Sequence, residues 1–253
     1  MTTTTEAISA QERVPLWQLL FGIIDKPAVT FKAILAQRTW WMWLVPLLLV
    51  IMATAVLLVI QMPYTVELAR EQAEQQLAAL PAEQAEAARA SMEFTLSAPF
   101  MVGMGLASAA VVLLIGVLIQ ALFLYFGALL LGGDDVDFGS FFTFSAWTRL
   151  PMAFGALVQA GFIAFSQSAI QRPGLTALVA TGDLLRDAQN PLFPLLAQVD
   201  LFWLWHLVLV MSGPGLTARL SRGKSFILTL IYGALTLGIA ALPSLIFGGM
   251  LAR

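Results

Sequence analysis

Three carboxylates in four residues, Asp134, Asp135 and Asp137, sit in GGDDVDFGSFF between two long apolar runs. Carboxylate oxygens are hard ligands, and such a cluster at a membrane edge can hold Mg²⁺ with several waters retained. Enzymes that transfer prenyl groups space their acids one helical turn apart, as DDxxD. This chain has DDxD, and it has no second acidic motif to complete such a site. The longer run of acids threaded with Gly and Arg that CDP-alcohol transferases need is also missing. Gly132, Gly133 and Gly139 favour a turn, because glycine tolerates positive φ and Asp bonds its own backbone. A solvated turn is the preferred reading, and a metal site at Asp134, Asp135 and Asp137 is the sharper alternative.

Other polar groups lie inside the apolar runs. Arg149, in SAWTRLP, is the most unusual. An arginine at a bilayer centre costs about 2.5–3.5 kcal/mol on insertion scales, so it normally faces protein, water or headgroups. It serves either substrate passage or anchoring, with Asp137 and Asp200 as candidate partners. Asp200 and His206 share one run, but six residues turn a helix through about 600°, which puts them on different faces. His206 is the only histidine, which excludes a multi-histidine metal site, and a buried structural hydrogen bond is its expected role. Gln120 and Gln159 suit hydrogen bonds between helices better than a transport path. The small pairs Gly103/Ala107, Gly105/Ala109 and Ala234/Gly238 have the spacing of close helix packing. No GxSxG, HExxH, Walker loop or Rossmann fingerprint is present. No nucleophile–base pair, cofactor or enzymatic activity is therefore expected.

These residues must be positioned by membrane helices. Apolar residues make up 59% of the 253 and charged ones 11%, against about 45–50% and about 25% in soluble domains. A soluble fold cannot hide that much apolar surface, so lipid must cover it. The net charge of -2 and the lack of a basic stripe argue against nucleic acid as a partner. With no cysteine, disulfides and thiolate sites are excluded together.

Residues 1–13 read as a disordered polar tail and 14–39 as amphipathic helices broken at Lys26-Pro27. These helices lie in the headgroup plane or dock on the bundle's own face. Residues 40–253 read as a five-span domain, with spans at about 41–62, 99–131, 141–165, 192–211 and 226–247. Trp40, Trp41 and Trp43 mark an interfacial belt, and Pro151 and Pro243 mark kinks or broken turns. The loop 64–98, rich in Ala, Glu and Gln, reads as a helical hairpin divided at Pro81. The loop from 167 to 190 suggests a short interfacial helix through Leu175, Leu178, Val179, Leu184 and Leu185.

Cations orient the chain. Arg13, Lys26, Lys32, Arg38, Arg219, Arg222 and Lys224 fall on one side, concentrated in short segments. Arg70, Arg89, Arg172, Arg186 and Arg253 are spread over the other. The amino terminus is expected in the cytoplasm, the carboxy terminus outside, and the acidic turn on the cytoplasmic face.

The order of these features resembles the Yip family, five-span membrane proteins related to Rab-interacting Yip proteins, and its bacterial branch in particular. DKPAVTFKAILAQRTWWMWLVPLLL looks like the approach to the first span. GALLLGGDDVDFGSFFTFSAWTRLPMAF looks like the Gly-rich turn and Pro-containing third span. LFWLWHLVLVMSGPGLTARLSRGKSFILTLIYGAL looks like the Trp-containing fourth span, cationic turn and last span. The likeness runs from about Val14 to Phe247. It implies an all-α bundle in the bacterial cytoplasmic membrane, without catalytic residues, working as a scaffold or accessory that binds membrane proteins or organises lipid. An ABC-type exporter is one implied partner; membrane lipids and a second copy of the chain are further candidate partners. Rab binding, which belongs to a long amino-terminal region in eukaryotic relatives, does not carry over to this short one. The alternative is a small transporter or channel using Arg149, Asp200 and Gln159.

Overall fold

The structure, a computed structural model, describes residues 14–37, 39–78, 80–170, 172–182, 186–187 and 190–251. The tail 1–13, with Arg13, and Arg38, Leu184, Leu185 and Arg253 lie outside these residues. The described residues form helices and turns without strands. The helices are α1 (Leu16–Asp25), α2 (Pro27–Ala36), α3 (Leu44–Ala78), α4 (Ala82–Thr95), α5 (Ala98–Leu130), α6 (Phe138–Trp147), α7 (Leu150–Ser166), α8 (Leu192–Gln198), α9 (Leu201–Thr217) and α10 (Arg222–Leu251).

Among the described residues four stretches are long and apolar enough to cross a membrane: most of α3 (Leu44–Gln75), α5, α6 with α7, and the first part of α10 (Arg222–Leu242). Helices α8 and α9 pass that test only together, as a pair bent by 68° at Val199-Asp200, the geometry of a broken fifth span or of a re-entrant loop. The bend has a cap. Asp200 Oδ1 accepts the Trp203 N–H at 2.7 Å, satisfying one of the orphan donors that open any helix. Asp200 therefore starts a helix at the bend and does not sit inside one.

Lipid offers no hydrophobic drive between helices, so close packing must supply the attraction, and small residues allow it. A Cβ on Gly213 would collide with the Phe144 ring, and one on Gly127 with Leu228. One on Gly155 would come within 2.9 Å of Phe202. These three glycines join α9 to α6, α5 to α10 and α7 to α9. The small pairs expected from spacing behave differently. Gly103, Ala107, Ala234 and Gly238 are exposed, and nothing lies within 4 Å of a Cβ built on Gly103 or Gly238. Of the three glycines in these pairs, Gly105 approaches a neighbour, Leu58 of α3.

Helices α1 and α2 form a hairpin. Pro27 occupies the first turn of α2, where its missing donor costs least. The Gln37 side-chain amide clamps both the N–H and the carbonyl of Val14, at 3.0 and 3.1 Å, which closes the open end. One face of the hairpin enters the bundle through Leu19, Ile23, Phe31 and Ile34, all at most 1% exposed. Phe31 stacks on Phe144 at 4.5 Å. The other face leaves Trp17, Phe21, Ile24 and Val29 exposed. The hairpin thus docks on the bundle and still presents an apolar surface outward.

The segment after α7 folds back over α8. Gly174 (φ +56°) lets its backbone approach the carbonyls of Leu196, Ala197 and Val199, where a Cβ would lie 2.6–2.8 Å away. Thr176–Leu178 forms a single 3₁₀ turn. Asp187 accepts the Thr181 N–H and hydroxyl at 2.8 Å each and the Gly182 N–H at 3.3 Å. The Thr181 N–H holds the carboxyl below its ordinary value of 3.8, against the opposing effect of burial. The Thr181 hydroxyl, Gly182 and the charge of Arg172 add to that hold. A depressed carboxylate orders its loop above its ordinary pKa and releases it as pH falls through the lower folded value. Protease sensitivity of this loop is accordingly expected to rise only below the ordinary value, and Asp187→Asn is expected to flatten that pH dependence.

Candidate functional site

Proline removes the donor that would reach the carbonyl four residues back, and its ring crowds the preceding turn. Pro151 does this in the third span, and the helix breaks. Helix α6 ends at Trp147, Thr148 and Arg149 form the joint, and α7 restarts at Leu150 with Pro151 in its first turn. The Met152 N–H turns back to the Arg149 carbonyl at 2.9 Å. The Thr148 carbonyl is left to a side chain from another helix, His206 of α9, whose Nδ1 lies 2.6 Å away.

That contact belongs to a closed ring. His206 Nε2 meets the Tyr232 hydroxyl of α10 at 3.1 Å. Tyr232 donates to Gln120 Oε1 of α5 at 3.0 Å, and Gln120 Nε2 donates to Thr148 Oγ1 at 2.9 Å. Thr148 Oγ1 in turn donates to the Ser145 carbonyl at 2.8 Å. Gln120 and Thr148 are 0% exposed, His206 1% and Tyr232 4%, so the ring is sealed.

Proton counting sharpens the geometry. The Thr148 carbonyl only accepts, so His206 carries its proton on Nδ1, and neutral Nε2 then needs a donor. The single Tyr232 proton cannot serve both Nε2 and Gln120 Oε1. If the Gln120 amide is turned over, its NH₂ donates to Tyr232, Thr148 Oγ1 donates to the amide oxygen, and Tyr232 is free for Nε2. The same heavy atoms then satisfy Nε2, with the single Thr148 hydroxyl proton moved from the Ser145 carbonyl to the amide oxygen.

The ring lies at one depth. Gln120 is ten residues from the end of α5, Thr148 ten from the start of α6, His206 eleven from the end of α9 and Tyr232 ten from the start of α10. At about 1.5 Å per residue, each sits roughly 15 Å from the helix ends that carry the short turns. That is half of a hydrocarbon core about 30 Å thick.

Arg149 borders the ring. Its Nη2 donates to the Gly116 carbonyl at 3.0 Å and to Tyr232 at 3.3 Å, and its Nη1 approaches Met152 Sδ at 3.8 Å. Its Nε is buried without a partner. Among the described residues no carboxylate pairs with it. Of the two candidate partners, Asp200 caps α9 and Asp137 caps α6. Gln159 lies almost three turns beyond Arg149 along α7, outside the ring. Of the five intramembrane polar candidates, the structure therefore brings together Gln120, Arg149 and His206. Thr148 and Tyr232 complete the ring without having been singled out. Their signals were a hydroxyl beside an in-span arginine, in WTRLP, and a lone tyrosine in the apolar run ILTLIYGALTL.

The acidic turn has separate tasks for its three residues. Asp137 Oδ2 accepts the Ser140 N–H and hydroxyl at 2.8 Å each, capping α6. Asp135 pairs with Arg219 of the α9–α10 turn at 2.9 Å, and both residues have positive φ, 54° and 51°. That pair is largely exposed and contributes about 0–1 kcal/mol. The Asp134 N–H donates to the Ala218 carbonyl at 3.0 Å, and Lys224 Nζ to the Leu131 carbonyl at 2.7 Å. Among the described residues no three metal-ligating side chains converge here or elsewhere. The turn stitches α5 and α6 to the neighbouring turn. Asp137→Ala is expected to cost roughly 1 kcal/mol, a lost N-cap, read as a lower unfolding midpoint in detergent. Asp134→Ala, which keeps its backbone contact, is expected to leave the midpoint near wild type.

Helices long and apolar enough to span a bilayer, sealed around a buried polar ring, define an all-α integral membrane protein. A family profile described as the Yip1 domain matches residues 21–243, and the chain belongs to that family. No curated protein matches the chain, and no solved structure does.

Proposed function

We propose that this Yip1-family chain is a non-enzymatic membrane scaffold or accessory, holding other membrane proteins or organising lipid around a rigid bundle. The closed ring carries this reading. The groups most suited to moving a solute spend their hydrogen bonds on each other and tie α5, α6, α9 and α10 together at mid-depth. What the chain offers to others is its outer surface. On this reading the acidic turn and its cationic neighbour face the cytoplasm and the α3–α4 stalk faces outward, as the cation distribution favours. An exporter of the ABC type is the partner class that the resemblance suggests.

A photo-crosslinking residue at lipid-facing Val112, Val158 or Ile239, introduced in native membranes, tests this. The expected result is a discrete protein adduct from at least one face, identified by mass. Lipid adducts alone from all three positions would count against a protein scaffold. Solute or ion flux through the purified chain in liposomes, abolished by Arg149→Met, would establish the transporter alternative. That alternative draws its support from Arg149, a midplane cation without a carboxylate.

A further inference from the structure

We propose that the α3–α4 stalk and the half of α5 beneath it form a two-fold interface with a second copy of this chain. The proposal goes beyond the scaffold reading, since an accessory can hold its partners as a monomer. The first observation is a cleft of about 640 Å³ between the end of α3 and α4. Arg70 and Glu74 line one wall, and Arg89 and Glu93 line the other. Each wall carries Arg and then Glu one turn later. None of the four forms an ion pair with another described residue. Arg70 and Arg89 are the only cations between residues 64 and 98, and both line the cleft, whereas Glu67, Glu71 and Glu86 do not.

That arrangement selects its occupant. An acidic partner would meet Glu74 and Glu93, and a basic one would meet Arg70 and Arg89. A matched alternation of signs is needed, and a second copy carries it: in an isologous contact that sets the end of α3 against the partner's α4, each Arg can lie opposite a Glu. The acids outside the cleft stay in water, where salt screens their repulsion.

The second observation lies directly below. From Ala98 to Gly116, α5 contributes no buried residue, although it is a 33-residue helix of the bundle. Gly103 and Ala107, one turn apart on this half, are exposed, with open space where a Gly103 Cβ would stand. Two such faces can approach closely in lipid.

The chain lacks cysteine, so single cysteines report without background. Gly103→Cys in native membranes is expected to form a disulfide-linked dimer on mild oxidation. Ala234→Cys, also an exposed small position, on α10, is expected to remain a monomer. Adding R70E with R89E places like charges together and is expected to reduce the dimer roughly tenfold. A chain carrying E74R with E93R should fail to pair with itself in the same way. Co-expressing the two reversed chains should restore cross-linking between them. Both variants change exposed residues, and an unaltered melting midpoint in detergent verifies their fold. Cross-linking at Gly103 no greater than at Ala234 would overturn the proposal. So would a dimer indifferent to both charge reversals, or a Gly103 adduct with a different protein in place of the self-dimer. Each of these results leaves the scaffold reading standing on its own crosslinking test.

Discussion

His206→Leu is expected to lower the stability of the bundle by about 1–3 kcal/mol, the cost of leaving buried polar groups unsatisfied. Hydrogen bonds inside membranes average only about 0.6 kcal/mol by double-mutant cycles, because a chain unfolded in lipid finds other partners. The upper part of the range applies here because the folded state offers no substitute donor. Pro151 has no N–H and the Met152 N–H is committed to Arg149, so the Thr148 carbonyl depends on His206. Two amides separate the two bonds of the imidazole. Asn places its NH₂ near the position of Nδ1 and can still serve Thr148, whereas Gln reaches toward the position of Nε2 and Tyr232. Unfolding midpoints should therefore run wild type, Asn, Gln, Leu in falling order. A Leu variant as stable as wild type would show that the ring holds nothing together.

The ring also shows where sequence reasoning reaches its limit. Arg149 and His206 stood out because an ionisable group in an apolar run is costly, and both lie at the midplane site. The broken third span was legible from Pro151, whose chemistry is local. The partners were not. A membrane helix is apolar on every side, so periodicity does not say which face meets protein and which meets lipid. The spacing of Gly103/Ala107 and Ala234/Gly238 suggested packing, yet both pairs are exposed, and the tight contacts fall at Gly127, Gly155 and Gly213. Asp200 was placed inside a span because α8 and α9 read as one apolar run; the 68° bend at Val199-Asp200 makes it a cap. The acidic turn was legible as a turn. Its partner, the α9–α10 turn, lies more than eighty residues away, beyond the reach of any local pattern.

Arg149→Met is expected to act in the opposite sense to His206→Leu and to stabilise the fold by roughly 1–2 kcal/mol. Removing an arginine from a bilayer centre recovers about 2.5–3.5 kcal/mol on insertion scales. Against this stand its bonds to Gly116 and Tyr232, each worth about 0.6 and at most about 1.7 kcal/mol in a membrane. The Gly116 carbonyl belongs to the interior of α5, and Tyr232 keeps Gln120 and His206. No carboxylate is stranded by the change, so the usual penalty for breaking a buried ion pair does not arise. Met preserves the length of the stem, whereas Arg149→Ala also opens a cavity and is expected to be less stable than Arg149→Met. Unfolding in mixed detergent micelles, followed for all three chains, reads the order directly. If Arg149→Met proves stabilising, the cation is carried at a cost to the fold, which assigns it to an interaction made in the working membrane. If it destabilises as much as His206→Leu does, Arg149 is a fifth member of the lock, and the transporter alternative loses its one supporting observation.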